Sequence, residues 1–191
     1  MLYIITISIL LVILFYSLRT KKSIKTKSLK NIVIPDHWHN LLVKNVLFYK
    51  KLTSVEQKVF CEKMFYFLEV TNIEAVHFEL EELDSLLIAA SAVIPVFRFS
   101  NFNYLNLTTV LVYPDYFDKD LQFNEKSGHR NIGGLVGTGR FENQMILSKK
   151  ALYHGFSNKT DKGNTAIHEF IHLIDKADGV IDGRWCFINA R

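Results

Sequence analysis

Asn164-Thr165-Ala166-Ile167-His168-Glu169-Phe170-Ile171-His172-Leu173-Ile174-Asp175 is the stretch that decides what kind of domain this chain should form. Ile167, Phe170, Ile171 and Ile174 recur at helical spacing and give a helix from about Asn164 to Ala177 a face to bury. His168 and His172 stand four positions apart, so both imidazoles leave the same side of that helix, about 6 Å from each other. Two ring nitrogens placed in this way can reach one Zn2+ at about 2.0–2.1 Å. Glu169 is offset by about 100° around the helix, where its carboxylate can take a proton from a water acidified by the ion. This is the HExxH pattern, in which two histidines hold zinc and the glutamate is the general base of a peptidase. Asp175 returns to nearly the same face as His168. There it could accept an N–H from a ligating imidazole and fix its tautomer, or stand as a plain surface carboxylate in the last turn.

A catalytic zinc normally takes three protein ligands and a water. Asp178 lies six residues past His172, where some long-motif zinc peptidases place their third ligand. Those enzymes need glycine where this chain has Asp175, which speaks against Asp178. The expectation is that the completing residue lies beyond position 191.

Composition fits an ordinary globular domain, with 49% hydrophobic and 22% charged residues in 191. It excludes a disordered tail, a collagen-like chain and a disulfide-stapled miniprotein. The average conceals an asymmetry. Residues 1–18, MLYIITISILLVILFYSL, are almost wholly apolar, and Arg19, Lys21, Lys22, Lys25, Lys27 and Lys30 follow with no acid among them. Without those six, 17 basic residues face 19 acidic ones, so the net charge of +4 describes the flank and not the domain. No nucleic-acid partner is expected.

Eighteen residues of helix reach roughly 27 Å, about enough to cross a hydrocarbon core. A secretory signal would carry its charges before the apolar run and a small-residue cleavage site after it. Here the charges come after, which favours an uncleaved transmembrane anchor over a cleaved or peripheral segment. The basic flank then stays inside. The expected location is the inner (cytoplasmic) membrane, single-pass, with the domain facing the cytoplasm. Cys61 and Cys186 form no CxxC pair and demand no oxidising compartment. Cys61 reads as a small buried hydrophobe.

Residues 19–35 read as a basic juxtamembrane linker, and 36–191 as one domain. Asp36 is expected to cap a helix through about Lys51. Thr53 and Glu56 have capping-box spacing ahead of a helix to about Val70. In that helix Phe60, Met64, Phe67 and Leu68 should face the core. Val76, Phe78 and Leu80 alternate as a half-buried strand would, and a helix from about Glu82 should stop at Pro95. Leu105 to Tyr113 is a β-rich run. Gly133, Gly134, Gly137 and Gly139 match no phosphate-binding loop and read as a flexible connection between strands, one that could lie at the rim of a site. Gln144 to Ser148 reads as a strand, by analogy the one along which a peptide substrate pairs. His37 and His39 read as surface or capping residues rather than ligands, and His129, Arg130 and His154 as solvated loop residues that could touch substrate. The irregular order of elements points to an α+β domain rather than a parallel-sheet fold.

Three blocks carry a family resemblance. They are Phe78-Glu79-Leu80-Glu81 with Leu86-Leu87-Ile88-Ala89-Ala90 and Ile94-Pro95-Val96, then Val110-Leu111-Val112-Tyr113-Pro114-Asp115-Tyr116-Phe117, then His168 to Asp175 with Asp182-Gly183 beyond. In that order they resemble the Mlc titration factor A (MtfA) family of zinc peptidases, over most of residues 40–191. The resemblance implies a zincin-like fold, zinc held by His168 and His172, catalysis by Glu169, and aminopeptidase-type activity in the cytoplasm. It also implies a third ligand, a glutamate from a later helix, so the chain reads as a C-terminally truncated relative.

The leading expectation is a membrane-anchored cytoplasmic zinc metallopeptidase acting on peptides or exposed protein termini. The founding family member binds and inactivates a glucose repressor. A regulatory protein that sequesters a transcription repressor, with hydrolysis secondary or lost, is therefore the alternative. A third reading is an inactive fragment.

Overall fold

The computed structural model describes residues 34–99, 103–104, 106–118, 120–122, 132–137, 142–158 and 163–177. Among them no helix is long and apolar enough to cross a membrane. The apolar run 1–18 and most of the linker, residues 19–33, lie outside the described residues.

Helix α1 (Asp36–Asn45) begins on Pro35, with Asp36 as its first helical residue and no side-chain cap, so the expected Asp36 cap does not form. Its acid still suits the positive end of the helix. The helix does not run on to Lys51. Val46 adopts an extended conformation and a second short helix, α2 (Leu47–Lys50), follows it. A β-branched residue tolerates that break well, and Val46 is buried in the core. The capping box forms as expected ahead of α3 (Ser54–Val70). The Glu56 amide donates to Thr53 Oγ1 at 3.4 Å, and the Thr53 amide donates to Glu56 Oε2 at 2.9 Å. Phe60, Cys61, Met64 and Phe67 are buried and Leu68 is partly so.

Strand β1 is Asn72–Ala75, earlier than the alternation of Val76, Phe78 and Leu80 suggests. His77 sits at φ 64°, a left-handed conformation that ends an extended run whatever the side-chain pattern. Helix α4 (Glu82–Val96) passes through Pro95 rather than stopping before it. A proline so close to the end forfeits little of the hydrogen-bond ladder, and the chain closes with Phe99 N–H donating to Val96 O at 3.0 Å. Leu86 to Val93 are all buried, which makes α4 the central helix. Its one hydroxyl there, Ser91, donates to Leu87 O at 2.9 Å.

Strands β2 (Thr109–Tyr113), β3 (Gly134–Val136) and β4 (Gln144–Ser148) complete a four-stranded sheet of order β1-β2-β4-β3. β1 and β2 are parallel, as are β2 and β4, while β3 runs antiparallel to β4. The domain is thus mixed α and β, but its small sheet is more parallel than the irregular element order suggested. β4 is an inner strand, buried from Met145 to Ser148, and cannot offer an edge to a substrate. The edge strand beside β4 is β3, which begins at Gly134, one of the glycines that read as a loop. Gly139 lies outside the described residues.

Helix α5 (Lys149–Ser157), absent from the sequence reading, leaves β4 directly, with Ser148 Oγ accepting from Ala151 N–H at 3.1 Å. Lys149 and Tyr153 on α5 clasp the start of α4. Both donate to Asp84, 0% exposed, at 2.9 and 2.8 Å respectively, and the Glu81 amide adds a third bond at 2.9 Å. The Lys149 ammonium also lies over the Phe78 and Tyr153 rings. A buried carboxylate is tolerated only when its lone pairs are met in this way.

Candidate metal centre

Helix α6 (Thr165–Ala177) carries the histidines. Asn164 caps it, its Oδ1 accepting from Ile167 N–H at 3.1 Å. The Asn164 side chain rests against Gly155 of α5 so closely that a Cβ there would come within 2.7 Å of Asn164 Cγ. α6 packs on α4, α5 and β3. Ala166, Phe170 and Leu173 are buried, whereas Ile167, Ile171 and Ile174 are only half-buried. The buried face is therefore rotated from the isoleucine stripe, and that rotation takes Glu169 inward.

The rings of His168 and His172 are exposed and converge, with Nε2 to Nε2 at 2.9 Å and planes inclined at 79°. Two bare lone pairs would repel at that distance, and a shared proton or a cation between the nitrogens relieves this. Replacing that shared proton by a cation asks for little movement. Two nitrogens bound at about 2.0–2.1 Å in tetrahedral geometry stand roughly 3.3 Å apart. The pair therefore fits two sites of a zinc coordination sphere. Among the described residues no group of three His, Cys, Asp or Glu side chains could hold a metal.

Glu169 is 8% exposed and lies beneath β3. Burial pushes its carboxyl above the ordinary carboxylate value. The two histidines and a hydrogen bond from the Val136 amide pull partly the other way. A carboxylate of raised affinity for protons, close to two converging imidazoles, has the chemistry of a group that can take a proton and hand it on. Further along the helix, Lys176 Nζ donates to Gly137 O at 3.3 Å and ties α6 to the end of β3.

Asp175 is half-buried on the same helix, and among the described residues no hydrogen bond joins it to either histidine. Asp178, His129 and Arg130 lie outside the described residues. His154 is exposed on the last turn of α5. His37 pairs with Glu82 at 2.8 Å and His39 with the Tyr49 hydroxyl at 3.1 Å, so neither belongs to the site. Sequence reasoning missed Val136 and placed Gly134 no nearer than the rim of a site. Adjacent glycines next to a strand pattern were a usable signal, since glycine inside a strand marks close approach by another group.

The profile of the glucose-regulated metallopeptidase M90 family matches residues 19–187, nearly the whole chain. The chain belongs to that family. An uncharacterized protein of Synechocystis is 28% identical over 164 residues, 83% of this chain and 59% of that protein. The chain thus spans about three fifths of the length of this relative. The family's own description is that of a glucose-regulated metallopeptidase. The small mixed sheet, with a histidine-bearing helix packed against its last strand, is consistent with a zincin-like domain.

Proposed function

We propose that this M90 protein is a zinc-dependent peptidase of the aminopeptidase type, anchored by residues 1–18 and acting at the cytoplasmic face of the membrane on peptides or exposed protein termini. The observation that carries this reading is the convergence of His168 and His172 Nε2 at 2.9 Å next to the buried Glu169 carboxylate. His168 and His172 hold the metal, and the remaining ligand comes from outside the described residues. Zinc bound there supplies a Lewis acid for the scissile carbonyl and acidifies the attacking water.

Glu169 does the proton work. Its carboxylate oxygen accepts the proton of that water and returns it to the departing amine nitrogen. Burial, which keeps its proton affinity high, serves both halves of that transfer.

The strand register supports β3 as the edge on which a peptide lies. Gly133 and Gly137 bond to β4, Ser148 N–H donating to Gly133 O at 2.8 Å and Gly137 N–H to Gln144 O at 2.9 Å. By antiparallel alternation the carbonyls of Gly134 and Val136 point away from β4. Among the described residues no backbone amide bonds to either one, which leaves them to the amides of an extended substrate. β3 therefore takes the role that the sequence pattern assigned to Gln144–Ser148.

Glu169→Gln tests the chemistry. It should retain zinc, since both histidines remain, and lose nearly all peptide hydrolysis. Unchanged turnover would assign the reaction to another group.

A further inference from the structure

Two consecutive glycines, Gly133 just before β3 and Gly134 at its start, stand where β-branched residues would make a firmer strand. Both approach Thr165 Cγ2, but their nearest neighbours differ. A Cβ on Gly133 would meet Ala151 Cβ of α5 at 2.8 Å. A Cβ on Gly134 would meet Glu169 Cγ at 2.6 Å and Cδ at 3.2 Å, with Thr165 Cγ2 at 3.1 Å. Carbon atoms rest about 3.5–4.0 Å apart, so a methyl group there cannot coexist with the present Glu169 side chain. Glu169 has little room to retreat, because Ala166, Phe170 and Leu173 on the same helix are seated in the core. Two residues along β3, on the same edge, the Val136 amide donates to the Glu169 carboxylate.

We infer that Gly134 is a positioning residue: its bare α-carbon lets the Glu169 side chain pass under strand β3 and reach the Val136 amide beside the paired imidazoles. The inference rests on the reading of Glu169 as the general base. Any side chain at position 134 displaces that carboxylate or lifts the strand that orients it. Misplacement of a reacting group by about 1 Å costs on the order of 100-fold in rate.

Two measurements on the full chain test this. Gly134→Ala should lower kcat about 100-fold with KM little changed and zinc content equal to wild type. Wild-type kcat in that variant would overturn the inference. The second is a melting cycle of wild type, Gly134→Ala, Glu169→Ala and the double variant, which needs no catalysis. Gly134→Ala alone should lower Tm by roughly 2–10 °C, and most of that loss should vanish once Glu169 is cut back to alanine. Gly133→Ala, which meets Ala151 instead, should lose the same Tm in both backgrounds. A loss for Gly134→Ala that is equal in both backgrounds, or a failure to fold in both, would show that the fold and not Glu169 requires the glycine. If wild type hydrolyses no peptide at all, the general-base reading falls, while the melting cycle still decides the contact.

Discussion

Phe170→Ala removes the side chain that seats the histidine helix on the core. The ring is 0% exposed and lies 5.6 Å from the Phe67 ring of α3 and 5.1 Å from that of Tyr104, centroid to centroid. Tyr104 in turn donates its hydroxyl to Ala92 O of α4 at 2.7 Å, so Phe170 joins α6 to both helices beneath it. Truncating a fully buried phenylalanine costs about 3–5 kcal/mol, and each aromatic pair accounts for roughly 0.5–1.5 kcal/mol of that. With a urea m-value of about 2 kcal/mol/M, the unfolding midpoint should fall by roughly 1.5–2.5 M. Circular dichroism at the helix band during urea titration reads this directly. Val55→Ala, at a side chain 76% exposed, should shift stability by no more than about 0.5 kcal/mol and serves as control. Because His168, Glu169 and His172 ride on the same helix, Phe170→Ala should also weaken zinc binding. A stability loss below about 1 kcal/mol would mean that α6 is not anchored through this ring.

Two further outcomes follow from buried carboxylates. Glu169 holds its proton more tightly in the folded chain than in the unfolded one, because burial outweighs the histidines and the Val136 amide. Metal-free wild type therefore loses stability as pH rises from the ordinary glutamate range through the raised folded value. Glu169→Gln has no proton to lose, so its Tm should exceed that of wild type at neutral pH. The gap should close below about pH 4; a gap that is constant with pH would contradict the burial argument. At the other end of the core, Asp84→Ala should cost about 3–5 kcal/mol, because the Tyr153 hydroxyl and the Glu81 amide lose their acceptor and Lys149 keeps Glu81 alone at 2.9 Å. In urea it should fall well below Tyr153→Phe, which loses one charge-assisted bond worth about 1.5–3 kcal/mol. Equal losses would show that Asp84 has no role beyond that hydroxyl.

What the sequence made legible was what depends on neighbours a few residues away. The Thr53–Glu56 capping box is satisfied within one turn, and the His168–His172 convergence follows from helical spacing alone. What stayed hidden depends on groups distant along the chain. The alternation of Val76, Phe78 and Leu80 looked like a strand, but His77 turns the backbone out of the extended region. Pro95 looked like a stop, yet its place in the last turn lets α4 continue. Met145 to Leu147 showed that β4 was a strand without showing that it had neighbours on both sides. The glycines read as loop because their reason for being small, Ala151 and Glu169, lies on helices well downstream. For the same reason the sequence could not show which part of α6 would be buried, and Glu169 came out deeper than the isoleucine stripe implied.

The claim on which the rest depends is that His168 and His172 share one metal ion. X-ray absorption at the zinc edge of the zinc-loaded full chain tests it most directly. Wild type should show imidazole nitrogens at about 2.0–2.1 Å. His168→Ala and His172→Ala should each lose an imidazole from the first coordination sphere or release the zinc. A spectrum and zinc content unchanged in both variants would contradict the account.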